Sequence, residues 1–305
     1  MSQDSSSPSS VFASMGKVEL ERIFEKELYV ADQDIITAVY LAIKLDKPLL
    51  IEGDPGCGKT EIAKALSEGL GTTLIRLQCY EGLDANSTIY EWDYVRQLLE
   101  IKIEEGKKSE KELKKSIFGE EFLLKRPLLQ ALMHNGPKPP VLIIDEIDRA
   151  DEEFEGILLE FLGEFQVSIP EIGTIRAQHK PIVILTSNRT RELGDGLRRR
   201  CLYLYLSQPS AEKELMIVKL KVPGIQEKLA TQVVQTMSKI RSVEGLVRKP
   251  GISETLDWAN ALVVLNMKEL DAPTAIQTIN CVLKNPDELE VLNHSRIEEI
   301  VSQLS

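Results

Sequence analysis

Leu49-Leu50-Ile51-Glu52-Gly53-Asp54-Pro55-Gly56-Cys57-Gly58-Lys59-Thr60 decides the fold. Its first three residues form a short, continuously apolar run, the pattern of a strand buried on both faces. Gly53 to Thr60 then fits G-x-x-x-x-G-K-[ST] at every position. A helical stretch, Glu61–Leu70, follows and is stopped by Gly71. Three glycines let the backbone turn so that its N–H groups converge on phosphate oxygens. The helix that starts at Lys59 points its positive end at the same anion. Lys59 adds a full charge near the β- and γ-phosphates, and the Thr60 hydroxyl is a magnesium ligand by type. Asp54, Pro55, Gly56, Cys57, Gly58, Lys59, Thr60 and Glu61 are therefore the candidate nucleotide-binding residues.

Downstream, Val141-Leu142-Ile143-Ile144 is apolar throughout and ends in Asp145-Glu146. A buried strand delivers these carboxylates at its C-terminal edge, where open α/β sheets bind ligands. Strand alternation sends the two side chains to opposite sides. Asp145 is thus read as the magnesium holder and Glu146 as the group that polarises water in line with the γ-phosphate. Asp148 falls past the strand and receives no catalytic role. Ile182–Thr186 is another buried strand, ending in Ser187-Asn188, whose amide is placed to orient the attacking water. The central expectation is that Lys59, Thr60, Asp145 and Glu146 surround one magnesium-bound triphosphate.

Around these motifs strands and helices alternate. Asp32 is placed to cap a helix through Ile43, Thr73–Leu77 reads as a strand, and Leu202–Leu206 as another. Phe165–Ile169 and Thr174–Ala177 flank Pro170–Gly173 as a hairpin, and segment 102–125 reads as an exposed, charge-rich helix. After Gln208-Pro209 the chain becomes helical, with Pro223-Gly224 and Pro250-Gly251 as punctuation. The expected architecture is α/β, a parallel sheet of the phosphate-loop type sandwiched by helices and followed by a small all-α lid. Residues 1–15 are expected to be a disordered tail, 16–207 the nucleotide-binding domain and 208–305 the lid.

Composition narrows the function. The 305 residues carry a net charge of −11, which does not attract nucleic acid in bulk. Cys57, Cys79, Cys201 and Cys281 form no Cys-x-x-Cys, and His134, His179 and His294 are scattered, so no metal-ligand spacing is present. No apolar run reaches the ~18 residues of a membrane span, and the Ser-rich start has no secretory pattern. A cytoplasmic protein with reduced thiols is expected.

Together the motifs resemble the AAA+ ATPases and, within them, the MoxR type. The resemblance runs from Lys17 to Trp258. It rests on the phosphate loop, Ile143-Ile144-Asp145-Glu146, the hairpin at Gln166–Ala177, Thr186-Ser187-Asn188 and Leu193-Gly194-Asp195-Gly196-Leu197-Arg198-Arg199-Arg200. The Leu-Arg-Arg-Arg-Cys end and Tyr90-Glu91-Trp92-Asp93-Tyr94 look most like members linked with carbon monoxide dehydrogenase maturation. The resemblance implies ATP and Mg²⁺ as cofactors. It makes Asn188 the first sensor and Arg200, with Arg199 as runner-up, the finger that reaches a neighbour's γ-phosphate. Val30 and Ala31 would touch the adenine, and the hairpin would face the centre of a homo-oligomeric ring, a hexamer. The client would be a protein, with a metalloenzyme or a von Willebrand-type domain protein as candidates.

Two departures stand out. Where the family's second sensor places an arginine, this chain has Ser253-Glu254-Thr255, with Arg248 nearby. Segment 84–125 is longer than simple members need. The leading reading is a ring-forming ATPase that remodels or matures another protein. The alternatives are a nucleic-acid motor or loader, which the charge disfavours, and a phosphotransferase, which Asp145-Glu146 and the arginine cluster disfavour.

Overall fold

The apolar runs become strands because each is flanked by a turn-forming segment and is too short for a buried helix. In the computed structural model, which describes residues 8–104 and 117–304, the strands are β1 Leu49–Gly53, β2 Leu74–Gln78, β3 Tyr90–Trp92, β4 Leu123–Lys125, β5 Val141–Asp145, β6 Gln166–Ile169, β7 Gly173–Arg176, β8 Ile182–Ser187 and β9 Leu202–Leu206. Five of them form the main sheet in the order β2-β5-β8-β1-β9. β2 pairs parallel with β5, β5 with β8 and β8 with β1. β3 with β4 and β6 with β7 form separate antiparallel pairs, the second being the expected hairpin. The central strands β5 and β8 are buried along their whole length, as a parallel sheet covered by helices on both faces requires. β9 is an edge strand and leaves Tyr203 and Tyr205 exposed.

The chain divides into two compact units. The first comprises the described residues up to Ile23, Ala31–Glu52 and Ile62–Leu204. Its core joins the sheet residues Leu142, Ile144, Val183 and Leu185 to Leu128, Phe154, Leu158 and Phe161 of the helices Pro127–Leu132 and Glu152–Glu164. Asp151 caps the latter helix by accepting from Phe154 N–H at 3.1 Å, the bond its position calls for. Asp32 stands at the N-cap of Gln33–Lys44, but its side chain makes no capping hydrogen bond.

The second unit comprises Phe24–Val30, Gly53–Glu61 and the chain from Tyr205 onward. It contains the phosphate loop together with the helices Ala211–Lys221, Glu227–Ser242 and Ile252–Val264 and three shorter C-terminal helices. In Glu227–Ser242, Leu229, Ala230, Val233, Val234, Met237 and Ile240 recur at helical spacing and are buried. They close on Trp258, which is fully buried and donates its indole N–H to Thr278 Oγ1 at 2.8 Å.

The expected disordered tail changes at its described end. Pro8–Val11 forms a helical turn, and Phe12 and Met15 are buried, so two apolar side chains hold this stretch down. Residues 1–7 lie outside the described residues. Of the charge-rich segment 102–125, Tyr94–Glu104 is helical at its start and Leu123–Lys125 is a strand, while 105–116 lie outside the described residues. No helix among the described residues is long and apolar enough to cross a membrane.

Candidate functional site

The phosphate loop lies in the second unit. Gly56 and Gly58 take φ of +76° and +94°, the left-handed region that only glycine enters without strain. Lys59 is buried, and its ammonium donates to the carbonyls of Gly53 at 2.7 Å and Asp54 at 2.8 Å. The charge is thereby held inside the loop rather than left swinging in water. Cys57 is buried beside it. Burial pushes its thiol up, against the pull of the Lys59 charge, so it is not a reactive thiolate.

The same unit contains a cavity of about 200 Å³. Tyr29, Val30, Cys57, Gly58, Ile252 and Leu256 wall it, and Glu61 reaches it. Largely apolar walls with a few polar groups are the usual make-up of a site for a flat heterocycle. Val30 is one of the cavity's walls. Ala31 does not line the cavity; Leu28 and Tyr29 precede Val30 on its wall instead. Leu206, Pro209 and Ile217 also line it, none of them a site residue on the sequence reading. Nothing in their pattern distinguishes them from core.

The loop also meets the start of the helix Ile252–Val264. A methyl group on Gly251 would lie 3.0 Å from the Pro55 carbonyl oxygen and 3.1 Å from Gly56 Cα, so the close approach depends on glycine at 251. Behind Gly251 sits a buried fork. Arg241 donates to both carboxylate oxygens of Glu214 at 2.6 and 2.7 Å and to the Pro250 carbonyl at 2.6 Å. Thr255 Oγ1 donates to Glu214 Oε1 at 2.5 Å.

The acidic pair lies in the first unit, at the carboxyl edge of the sheet. Register places Gln78 opposite Asp145 and Glu52 opposite Ser187. Asp145 ends β5 and is buried. Its Oδ1 accepts from the Thr186 hydroxyl at 2.5 Å and its Oδ2 from Arg76 at 2.6 Å. Glu146 corrects the alternation argument: the strand has ended, and Glu146 takes a left-handed conformation, φ 56° and ψ 50°. A turn rather than the pleat aims its side chain. Its N–H donates to Thr186 Oγ1 at 2.9 Å, Gln78 donates to its Oε2 at 3.2 Å, and Arg149 Nε pairs with Oε2 at 2.9 Å. Asn188 Nδ2 stands 3.5 Å from Glu146 Oε1, so the structure brings the candidate sensor beside the candidate base.

Asp148, to which the sequence reading gives no catalytic role, holds this corner together. It accepts from Asn188 N–H at 3.1 Å, from Thr190 N–H at 2.9 Å and from the Thr190 hydroxyl at 2.7 Å. Burial pushes its carboxyl up, but these donors outweigh burial and hold it below the usual range. The field of the cluster is visible at Cys79: burial first, then the charges of Asp145, Asp148 and Glu146, push its thiol up to about 12. Arg76, Gln78 and Arg149 carry no signal in the sequence, and Thr186 enters it only as part of Thr186-Ser187-Asn188. Only strand register reveals Gln78 and Arg76, since both sit on β2, the neighbour of β5.

The arginine cluster occupies the short helix Asp195–Arg200, anchored by the buried Leu197. Arg198, Arg199 and Arg200 are exposed. Arg199 stands 3.9 Å from Asp195, and Arg200 donates to the Gly196 carbonyl of its own helix at 3.2 Å. Arg248 is also exposed; its backbone N–H donates to Glu288 Oε1 at 3.1 Å.

Lon protease of Flavobacterium johnsoniae is 24% identical over 304 residues, covering 91% of this chain and 33% of that protein. Human fidgetin-like protein 1 is 28% identical over 182 residues, covering 56% of this chain and 21% of that protein. The chain therefore spans a third or less of these relatives. Among solved structures, a proline-to-glycine variant of Thermotoga maritima RuvB is 18% identical, with 90% of this chain and 72% of that one covered and a TM-score of 0.48. Domain III of the Thermotoga maritima replication initiation protein DnaA is 15% identical, with 85% and 96% covered and a TM-score of 0.48. Likeness at that level adds nothing to what the sheet itself shows. The sequence model of the ATPase family associated with various cellular activities (AAA) matches residues 49–207, from the first residue of β1 to just beyond β9. More than half of the chain lies in that match, and the chain belongs to the AAA family of ATPases.

Proposed function

We propose that the chain hydrolyses ATP as a ring-forming AAA+ protein of MoxR type, and that it remodels or matures a partner protein in the cytoplasm. The observation that carries the nucleotide half is the phosphate loop forming part of an apolar-walled cavity within one compact unit. Lys59 and the loop N–H groups bind the triphosphate, and Val30 and its neighbours receive the adenine. The Thr60 hydroxyl and the Asp145 carboxylate are the residues that would hold Mg²⁺, which supplies charge neutralisation to the phosphoryl oxygens. Among the described residues no group of three or more His, Cys, Asp or Glu could hold a metal. A hydroxyl, one carboxylate and the nucleotide's own oxygens suit a hard cation that keeps part of its water. Glu146 orients and deprotonates water, and Asn188 helps to position it.

The ring half rests on the three exposed arginines of Asp195–Arg200. An arginine supplied in trans stabilises charge on the transferred phosphoryl group, and a head-to-tail interface that closes gives a ring, in this reading a hexamer. The MoxR reading rests on the phosphate loop, Ile143–Glu146, the hairpin of β6 and β7, Thr186–Asn188 and Leu193–Arg200, with Tyr90–Tyr94 and Leu197–Cys201 carrying the finer likeness to members linked with carbon monoxide dehydrogenase maturation. The client is then a protein, with a metalloenzyme or a von Willebrand-type domain protein as the candidates.

Two substitutions test the reading. Lys59→Ala removes the positive charge that, in this reading, pairs with phosphate, so ATP affinity measured by calorimetry should fall by roughly 100-fold. Unchanged affinity would remove the loop from the site. Arg200→Ala should bind ATP and lose hydrolysis, and mixing it with the Lys59→Ala protein should restore part of the activity through mixed interfaces. If mixtures stay as inactive as the parents, the finger does not act in trans.

A further inference from the structure

The start of the helix Ile252–Val264 brings an acid to the phosphate loop. A methyl group built on Gly56 would lie 3.4 Å from Glu254 Oε2 and 3.6 Å from Ser253 Oγ. Glu254 Oε2 accepts from Gly251 N–H at 2.8 Å, completing the helix cap. Gly251, in turn, packs so closely on Pro55 and Gly56 that a methyl group there would meet them at 3.0–3.1 Å. A carboxylate is therefore fixed within a residue's width of a loop built to receive phosphates. Like charges at that separation repel well inside the screening length of physiological salt.

We propose that Glu254 is a charge gate on the phosphate loop, lowering affinity for nucleotide in proportion to the negative charge the nucleotide carries. The gate rests on the reading of this loop as the nucleotide site and extends it. A triphosphate carries more charge than a diphosphate, so Glu254 weakens ATP binding more than ADP binding. Binding of ATP then competes with the carboxylate at the end of the helix. Its displacement releases Gly251 N–H from its cap and couples nucleotide charge to the attachment of that helix.

Glutamine isolates the charge, because it keeps the shape and caps a helix at the same position. Fluorescent, non-hydrolysable ATP and ADP analogues would be titrated into the full chain and its Glu254→Gln, Glu254→Ala and Lys59→Ala variants. Glu254→Gln should tighten ATP roughly fivefold and ADP by less, shifting the ratio of the two affinities toward ATP. Glu254→Ala should do the same while melting at a lower temperature, because the cap is lost. Equal tightening of both nucleotides, no tightening by Glu254→Gln, or tightening by Glu254→Ala alone would overturn the gate. If wild type binds nucleotide, Lys59→Ala does not, and Glu254→Gln changes nothing, only the gate falls. If wild type binds neither analogue, the gate and the reading beneath it fall together.

Discussion

Glu146→Gln should hold ATP as tightly as wild type and turn it over at least 100-fold more slowly, the usual scale of a lost general base. The substitution preserves size and, with its amide oxygen in the Oε2 position, the approaches of Gln78 at 3.2 Å and Arg149 at 2.9 Å, while the backbone N–H still reaches Thr186; the amide nitrogen then faces Asn188 in place of Oε1. It removes the negative charge that, in the proposed reaction, takes a proton from water. The backbone supports a chemical rather than a packing role. A non-glycine residue at φ 56° costs about 1 kcal/mol or more, and the side chain is aimed by the turn rather than buried. Glu146→Gly should therefore abolish turnover while leaving melting temperature equal to or above that of wild type. Phosphate release under saturating ATP, with calorimetric binding alongside, decides the matter. Undiminished turnover would place the base elsewhere, and lost binding would make Glu146 part of the nucleotide's anchorage.

Why the loop and the acidic pair were legible in sequence while their supports were not has a physical cause. Phosphate binding by backbone N–H groups demands glycine at fixed intervals, and a buried strand that ends in acids demands an apolar run, so both constraints are local. Gln78 and Arg76 become relevant only when β2 pairs in register with β5, a non-local event that leaves no trace in the composition of Leu74–Gln78. The helix Ile252–Val264 was read correctly as a helix, yet its meeting with Gly56 depends on how Pro250-Gly251 enters it. Strand alternation was a sound rule applied one residue too far: it holds through Asp145 and fails at Glu146, where the chain turns. At residues 8–15 the tail reading meets a different limit: the average composition is polar, yet two apolar side chains, Phe12 and Met15, are buried.

The fork behind Gly251 carries the largest expected effect on stability. Glu214 is 1% exposed at its side chain and Arg241 14%. Removing one partner of a buried, doubly hydrogen-bonded pair leaves an uncompensated charge in the interior, which costs about 3–5 kcal/mol. Arg241→Ala should lose that much. The loss is measurable in the second unit by urea titration followed through Trp258, with Trp92 replaced by Phe so that one indole reports. Arg241→Met combined with Glu214→Leu leaves no buried charge and fills similar volume, so the double variant should recover most of the loss. It would not recover the hydrogen bond from Arg241 to the Pro250 carbonyl, which fixes the entry to Gly251. The double variant should therefore be stable yet bind ATP more weakly than wild type, separating what the fork does for folding from what it does for the loop. A loss below about 1 kcal/mol in Arg241→Ala would mean that water reaches Glu214 in solution. Full ATP affinity in the double variant would mean that Gly251 holds its place against the loop without the fork.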